Sequence, residues 1–221
     1  MATLSAPLIA LEGVAIAFGD VTVLEGVDLE LRAGTRTAMV GRSGSGKTSL
    51  LLVAAGLLAP TVGRVQWPAL ELDPIRRRRQ IAIVFQAPAL IPELTALENV
   101  CLPLRLAGVE EAAARHAAGE ALDAVGLQPR EWSVLPAQLS GGEQQRAEVA
   151  RALAGEPRLV IADEPTGALD RAHADAIVDA LCSVVDGGRT ALILATHDQQ
   201  IAARFDRLIV IEDGTARQAG A

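Results

Sequence analysis

Residues Gly41 to Thr48 read GRSGSGKT, a G-x-x-x-x-G-K-[ST] spacing with a definite chemical use. Gly44 and Gly46 let the backbone come close to a ligand. The N–H groups of residues 43 to 48 can then wrap phosphate oxygens, and the N-terminus of a following helix adds partial positive charge. The pattern assigns nucleotide contacts to Gly41, Arg42, Ser43, Gly44, Ser45, Gly46, Lys47, Thr48 and Ser49. Lys47 would reach the β- and γ-phosphates, and the Thr48 hydroxyl would ligate Mg2+. A second stretch, LVIADE, ends an apolar run in two acids: Asp163 is placed to hold Mg2+ directly or through water, and Glu164 to polarise an attacking water. A third apolar run, TALILA, leads into THD and brings His197 toward the same edge. An Asp-Glu pair alone is weak, because such acids often only open a loop or cap a helix. A lone His is more often structural. Joined to the glycine-rich loop the set points to phosphoryl chemistry, although a small kinase would show much of it.

One more stretch, LSGGEQQR at Leu139 to Arg146, looks redundant beside that loop. Ser140, Gly141 and Gly142 precede the helical pattern EQQRAEVARAL and so offer a second helix N-terminal anion site. The plainer reading of Ser140 is an N-cap, a role it can fill in either case.

These residues need a scaffold that brings distant segments to one edge. LIALEGVAIAF and VTVLEGVDLEL read as strands separated by Gly19-Asp20 as a turn, TRTAMV as a short strand into the loop, and KTSLLLVAAGLL as a buried helix. GRVQW and IAIVFQ follow as strands. From about Thr95 to Gly155 the pattern is Ala- and Leu-rich and helical, and then the apolar strands RLVIA, TALILA and RLIVI return. Such continuous apolar runs suit parallel strands covered on both faces. The fold class is α/β, with a mostly helical insertion.

Composition narrows the function classes. The chain has 221 residues, half of them hydrophobic, and no apolar run approaches the roughly 18 residues of a membrane span. The stretch MATLSAPLIALEG has no basic region before its apolar patch, which argues against a cleaved leader and for a cytoplasmic chain whose membrane contact comes through a partner. A net charge of −7 argues against a surface devoted to nucleic acid, where basic residues supply most of the affinity. The run RRRR at Arg76 to Arg79 reads as a solvated face. Aromatic content is 2% with no Tyr, which leaves few platforms for stacking bases. Cys101 and Cys182 lack metal spacing and read as buried reduced thiols.

LSGGEQQR resembles the signature motif of ATP-binding cassette (ABC) ATPases, and that family's other motifs occur in their usual order over essentially the whole chain: the phosphate loop, Gln86 in VFQ, the signature, the LVIADE strand, GALD ending at Asp170, and His197. The resemblance implies a P-loop NTPase core with a mainly parallel sheet, an N-terminal antiparallel β-subdomain and an inserted α-helical subdomain. It divides the single nucleotide-binding domain 1–221 into a core of 1–86 and 157–221 and a helical part of about 87–156. It implies that two chains sandwich two Mg-ATP head to tail, with Ser140, Gly141 and Gly142 on the γ-phosphate held by the other chain and Asp170 against the facing phosphate loop. Phe18 matches the aromatic position that stacks on adenine, and Val23 would line the same pocket. Gln86 would touch Mg2+ or the attacking water, His197 would hold the γ-phosphate, and Glu164 would be the general base.

The segment APALIPELTALENV corresponds to the part that meets an integral membrane permease. LSGGEQQR, ADEPTGALD, LTALENV and PLRLAGV resemble the lipoprotein-release, macrolide-export and cell-division branch, whose permeases are driven by ATP-dependent closure. Glu148 departs from that branch, which usually has an apolar residue there; inside a core it should meet an Arg or solvent. The competing functions are an ATP-gated dimerisation switch with little hydrolysis and a soluble non-transport ABC ATPase.

Overall fold

The computed structural model describes residues 6–219 apart from Ala168. Residues 1–5 of the N-terminal stretch, Ala168 of GALD and residues 220–221 therefore lie outside the described residues. Strand β1 (Ile9–Phe18) and strand β2 (Val21–Leu31) form an antiparallel hairpin across Gly19-Asp20. Gly19 has φ 59°, a left-handed value that a two-residue hairpin turn requires and glycine adopts freely. Strand β3 (Arg36–Gly41) feeds helix α1 (Lys47–Ala54) through the glycine-rich loop. Strand β4 (Val62–Gln66) then returns to pair with β1, giving a three-stranded sheet ordered β2-β1-β4.

Helix α2 (Pro74–Arg78) and strand β5 (Ile81–Val84) lead into a helical segment: α3 (Ala96–Leu106), α4 (Glu111–Ala124), α5 (Pro129–Trp132) and α6 (Gly141–Leu153). Strand β6 (Leu159–Asp163), helix α7 (Arg171–Ser183), strand β7 (Ala191–Ala195), helix α8 (Gln199–Ala202) and strands β8 (Arg207–Glu212) and β9 (Thr215–Ala219) complete the chain. The second sheet is ordered β5-β6-β7-β3-β8-β9, parallel from β5 to β8 and antiparallel only at β9.

Strands β6 and β7 are buried along their whole length, as their unbroken apolar runs require. Side chains alternate across the sheet: Leu159, Ile161 and Ile193 join Met39 and Leu50 beneath the antiparallel sheet, whereas Val160, Ala162, Leu192 and Leu194 face α6 and α7. The sheet is thus clamped from both sides. Its strand order places β6, β7 and β3 side by side, with Asp163 in register with Ala195 and Met39 also paired to Ala195. The loops after these three strands must emerge together at the carboxyl edge.

Two details differ from the sequence reading. Helix α1 stops at Ala54 instead of running to Leu58, because Gly56 takes φ 70° and lies so close to Trp67 that a Cβ would come within 3.2 Å of its ring. Strand β9 carries no apolar alternation in TARQA and is created by pairing across the sheet edge after the Asp213-Gly214 turn, both residues with positive φ. The arginine run behaves as expected. Arg76, Arg78 and Arg79 are exposed, and Arg77 stacks 4.1 Å over the Trp67 ring. Both cysteines are free and buried, and burial pushes their thiols up.

Candidate active site

Strand β3 ends in Gly41, where a side chain would strike the Ile211 carbonyl and Ser45 Oγ at 2.6 Å. The loop closes over this bare position, and Gly46 at φ 99° turns the chain into α1. Gly46 is confined from outside as well, since a Cβ there would meet Leu24 at 2.8 Å and Val23 at 2.9 Å. The β1–β2 hairpin is therefore packed against the loop. No side chain caps the α1 N-terminus, so its first N–H groups remain available to an anion. Lys47 is only 6% exposed, with its ammonium 2.9 Å from the Gly41 carbonyl and 3.1 Å from the Arg42 carbonyl. The loop's own backbone thus holds the cation at its centre.

Across the edge, Thr48 Oγ1 donates to Asp163 Oδ2 at 2.6 Å. A hydroxyl and a carboxylate, with the Gln86 amide nearby, are hard oxygen donors of the kind that suit Mg2+. Among the described residues no group of three or more His, Cys, Asp and Glu could hold a metal alone.

Glu164 has φ 45°, a conformation rare outside glycine, and its N–H is tied to the Ala195 carbonyl at 3.0 Å. The kink just past β6 aims its carboxylate two ways: Oε1 lies 3.8 Å from Lys47 Nζ and Oε2 2.8 Å from His197 Nδ1. An ionised carboxylate can only accept, so Nδ1 is the donating nitrogen, on a His197 side chain that is mostly exposed.

A cleft of about 550 Å³ gathers Val23, residues 43–49, Gln86, Asp163, Glu164 and His197. Phe18 is not among the lining residues; it stands 53% exposed at the hairpin tip. The remaining sequence candidates lie elsewhere. Ser140 caps α6 in a reciprocal box with Glu143, in which Ser140 Oγ accepts the Glu143 N–H at 3.3 Å and Glu143 Oε2 accepts the Ser140 N–H at 2.7 Å. The N–H bond from Ser140 holds the Glu143 carboxyl below its ordinary value. Gly141 is exposed and Gly142 half-buried. Asp170 caps α7 and accepts from His173, whose backbone N–H lowers the Asp170 pKa.

The Ser140-x-x-Glu143 box was legible as a spacing. A different residue gave no signal: Gln145, buried inside α6, donates to the Phe85 carbonyl at 3.1 Å. Glu148 is 1% exposed and meets an arginine as expected, with Oε2 accepting from Arg151 at 2.6 Å.

A family model described as ABC transporter matches residues 24–167, from the hairpin through the acidic strand end. The chain belongs to the ABC transporter family. It is 46% identical over 202 residues to the lipoprotein-releasing system ATP-binding protein LolD of Legionella pneumophila, covering 88% of each chain. It is 43% identical over 223 residues to the protein of the same name from Ruegeria pomeroyi, covering 96% of this chain and 97% of the relative. Among solved structures, a dimeric post-hydrolysis state of the ATP-binding cassette MJ0796 with ADP and Pi superposes with a TM-score of 0.87 at 35% identity, over 96% of this chain and 97% of that one. This ABC cassette therefore has the α/β architecture implied by its motifs: a largely parallel sheet, an antiparallel N-terminal sheet and a helical insertion.

Proposed function

We propose that this ABC cassette is the ATP-hydrolysing subunit of a transporter, pairing with a second copy around two Mg-ATP to drive an integral membrane permease in lipoprotein release or a related export or force-transmitting task. The carrying observation is Glu164, strained at the end of β6 and held between Lys47 and His197 beside the Thr48–Asp163 pair.

In this reading the glycine loop and α1 N-terminus bind the phosphates, with Lys47 turning from the Gly41 and Arg42 carbonyls to the β- and γ-oxygens. Phe18 stacks on adenine from the exposed hairpin tip, and Val23 lines the pocket below it. Thr48, Asp163 and Gln86 would hold Mg2+, which supplies charge neutralisation at the phosphates. Glu164 takes the proton of the attacking water as that oxygen bonds to the γ-phosphorus and the bond to the ADP oxygen breaks. His197 orients Glu164 through Nδ1 and offers Nε2 to the γ-phosphate. Ser140, Gly141, Gly142 and Asp170 complete the site of the second copy, which accounts for their separation from the cleft of their own chain.

Among the described residues no helix is long and apolar enough to cross a membrane. We place the chain at the cytoplasmic face, held there by the permease. A groove of about 1020 Å³ between α2, α3, α4 and the end of α6 has an apolar lining including Ile81, Leu102 and Leu106 and a rim of Arg78, Arg79 and Arg151. It adjoins the segment assigned to permease contact and supports docking of an amphipathic cytoplasmic element there.

Glu164→Gln tests the reading directly. It keeps shape and a hydrogen bond to His197 but cannot accept a proton. The variant should bind ATP normally, lose at least about 100-fold in turnover, and elute as a dimer with Mg-ATP on size exclusion. Turnover at the parental rate would remove Glu164 as the base. A parent chain that dimerises on ATP without hydrolysing it would favour the switch function instead.

A further inference from the structure

Gln86 sits on an exposed loop between β5 and α3, where nothing in its own side chain explains how it would be held in position. The backbone on both sides of it is gripped by one helix. On the N-terminal side, the Gln145 amide donates to the Phe85 carbonyl at 3.1 Å. On the C-terminal side, Arg151 donates to the Ala89 carbonyl at 2.8 Å. Arg151 is itself aligned by Glu148, whose Oε2 it reaches at 2.6 Å. The three donors and acceptors belong to α6 at intervals of three residues, so each is rotated only about 60° from the last and all share one face. Gln145 is 4% exposed and Glu148 1% exposed, so the helix side of these tethers is internal, while the Arg151 bond to Ala89 lies at the surface. Among the described residues Glu148 Oε1 has no hydrogen-bond partner, and the carboxylate is answered by the Arg151 guanidinium and the Ala89 backbone.

We infer that α6 is a clamp on the loop carrying Gln86, in which Gln145 and the Glu148–Arg151 pair are positioning residues that fix Gln86 at the hydrolysis site. The same helix begins at Ser140, so a ligand engaging its N-terminus and the loop beside Thr48 and Asp163 are joined through one rigid element. Arg151 also lines the groove at the other end of α6. Glu148 gives this chain a charged anchor for Arg151 at a position where an apolar residue would leave the guanidinium free to turn outward.

The clamp rests on the assignment of Gln86 to hydrolysis, and the test separates the two. Gln145→Met keeps the length and volume of the side chain while removing the donor. Arg151→Lys keeps the charge but has no planar fork with which to reach both Glu148 and the Ala89 carbonyl. Steady-state Mg-ATP turnover is measured on the full chain for the parent, both variants, Gln86→Ala, and Gln86→Ala combined with Gln145→Met. Each positioning variant should lower kcat by about 5- to 10-fold, with the ATP KM within about twofold of the parent, because the lost contact aligns the reaction and does not hold nucleotide. Gln145→Met should add almost nothing to Gln86→Ala, since both act through one side chain. Hydrogen exchange across residues 86–90 should speed up in both positioning variants, while melting of the whole chain separates this from general loosening. Parental kcat in either positioning variant, or an undiminished further loss in the Gln86→Ala background, overturns the clamp alone. Parental turnover in Gln86→Ala overturns the assignment of Gln86 and the clamp with it.

Discussion

Helices α1 and α6 both start beside glycine-rich sequence, yet they treat that end in opposite ways. Gly46 enters α1 in a left-handed conformation and offers no side chain, so the first N–H groups stay open toward the cleft. Ser140 enters α6 in an extended conformation and closes the box with Glu143, which spends two of the same kind of donor inside the protein. The buried faces differ as well. Behind Lys47, α1 buries Leu50, Leu51 and Val53, whereas α6 buries Gln145, Arg146 and Glu148 beside the smaller Ala147, Val149 and Ala150. The first helix is fixed by packing and holds a ready phosphate site. The second is self-capped and tied by polar tethers, and in the proposed function its N-terminus meets a ligand brought by the second copy.

The sharpest way to break this contrast is to remove the charge from the ready site. Lys47→Ala should lower nucleotide affinity about 100-fold, because it deletes charge-assisted bonds to the phosphates and leaves the Gly41 and Arg42 carbonyls with no cation between them. Fluorescent-nucleotide titration of the full chain measures it. Retention of affinity within about threefold would mean that the open N–H groups alone hold the phosphates.

Ser140→Ala probes the other helix and should split two measurements that Lys47→Ala moves together. Loss of the cap destabilises α6 by about 1 kcal/mol, seen as a melting point lower by a few degrees. Nucleotide affinity of the single chain should be unchanged, since Ser140 lies outside its cleft, while turnover falls about tenfold or more because the paired site loses a donor. Weakened binding in the monomer would place Ser140 in its own chain's site.

How much of this could be read from the sequence follows the same divide. The loop of residues 41–48, the acids at the end of β6 and His197 after β7 were legible because each ends or follows a continuous apolar run, and a parallel sheet sends such run-ends to one edge. Strand β9 was not, because TARQA has no period and forms only by pairing with β8. The early end of α1 depends on Trp67, which lies 11 residues beyond Gly56 in the sequence and touches it only after β4 folds back. Gln145 was hidden for a related reason: a glutamine in a polar helix looks solvated until the Phe85 carbonyl is placed beside it. Phe18 was legible only through its match to the family's aromatic position, and it stands outside the cleft at the exposed hairpin tip.

The smallest difference between the two helices lies at Glu148, and its pH dependence tests whether α6 stores strain that α1 does not. Burial pushes the Glu148 carboxyl above its ordinary value of 4.5, opposed by the Arg151 charge and hydrogen bond and by the Ala89 backbone. A carboxyl with a raised folded pKa binds its proton more tightly in the native state, so its contribution favours folding most below pH 4.5 and is lost as pH rises through the folded pKa. The ionised group therefore works against stability relative to the protonated one, and above the folded pKa Glu148→Gln, which keeps an acceptor for Arg151, should melt no lower than the parent and up to a few degrees higher. The difference should shrink steadily as both proteins are acidified from pH 7 toward 4.5. A variant that melts several degrees below the parent at pH 7 would show that the attraction of Arg151 outweighs burial. Glu148 would then be a stabilising anchor, and α6 would be held as firmly by its ion pair as α1 is by its leucines.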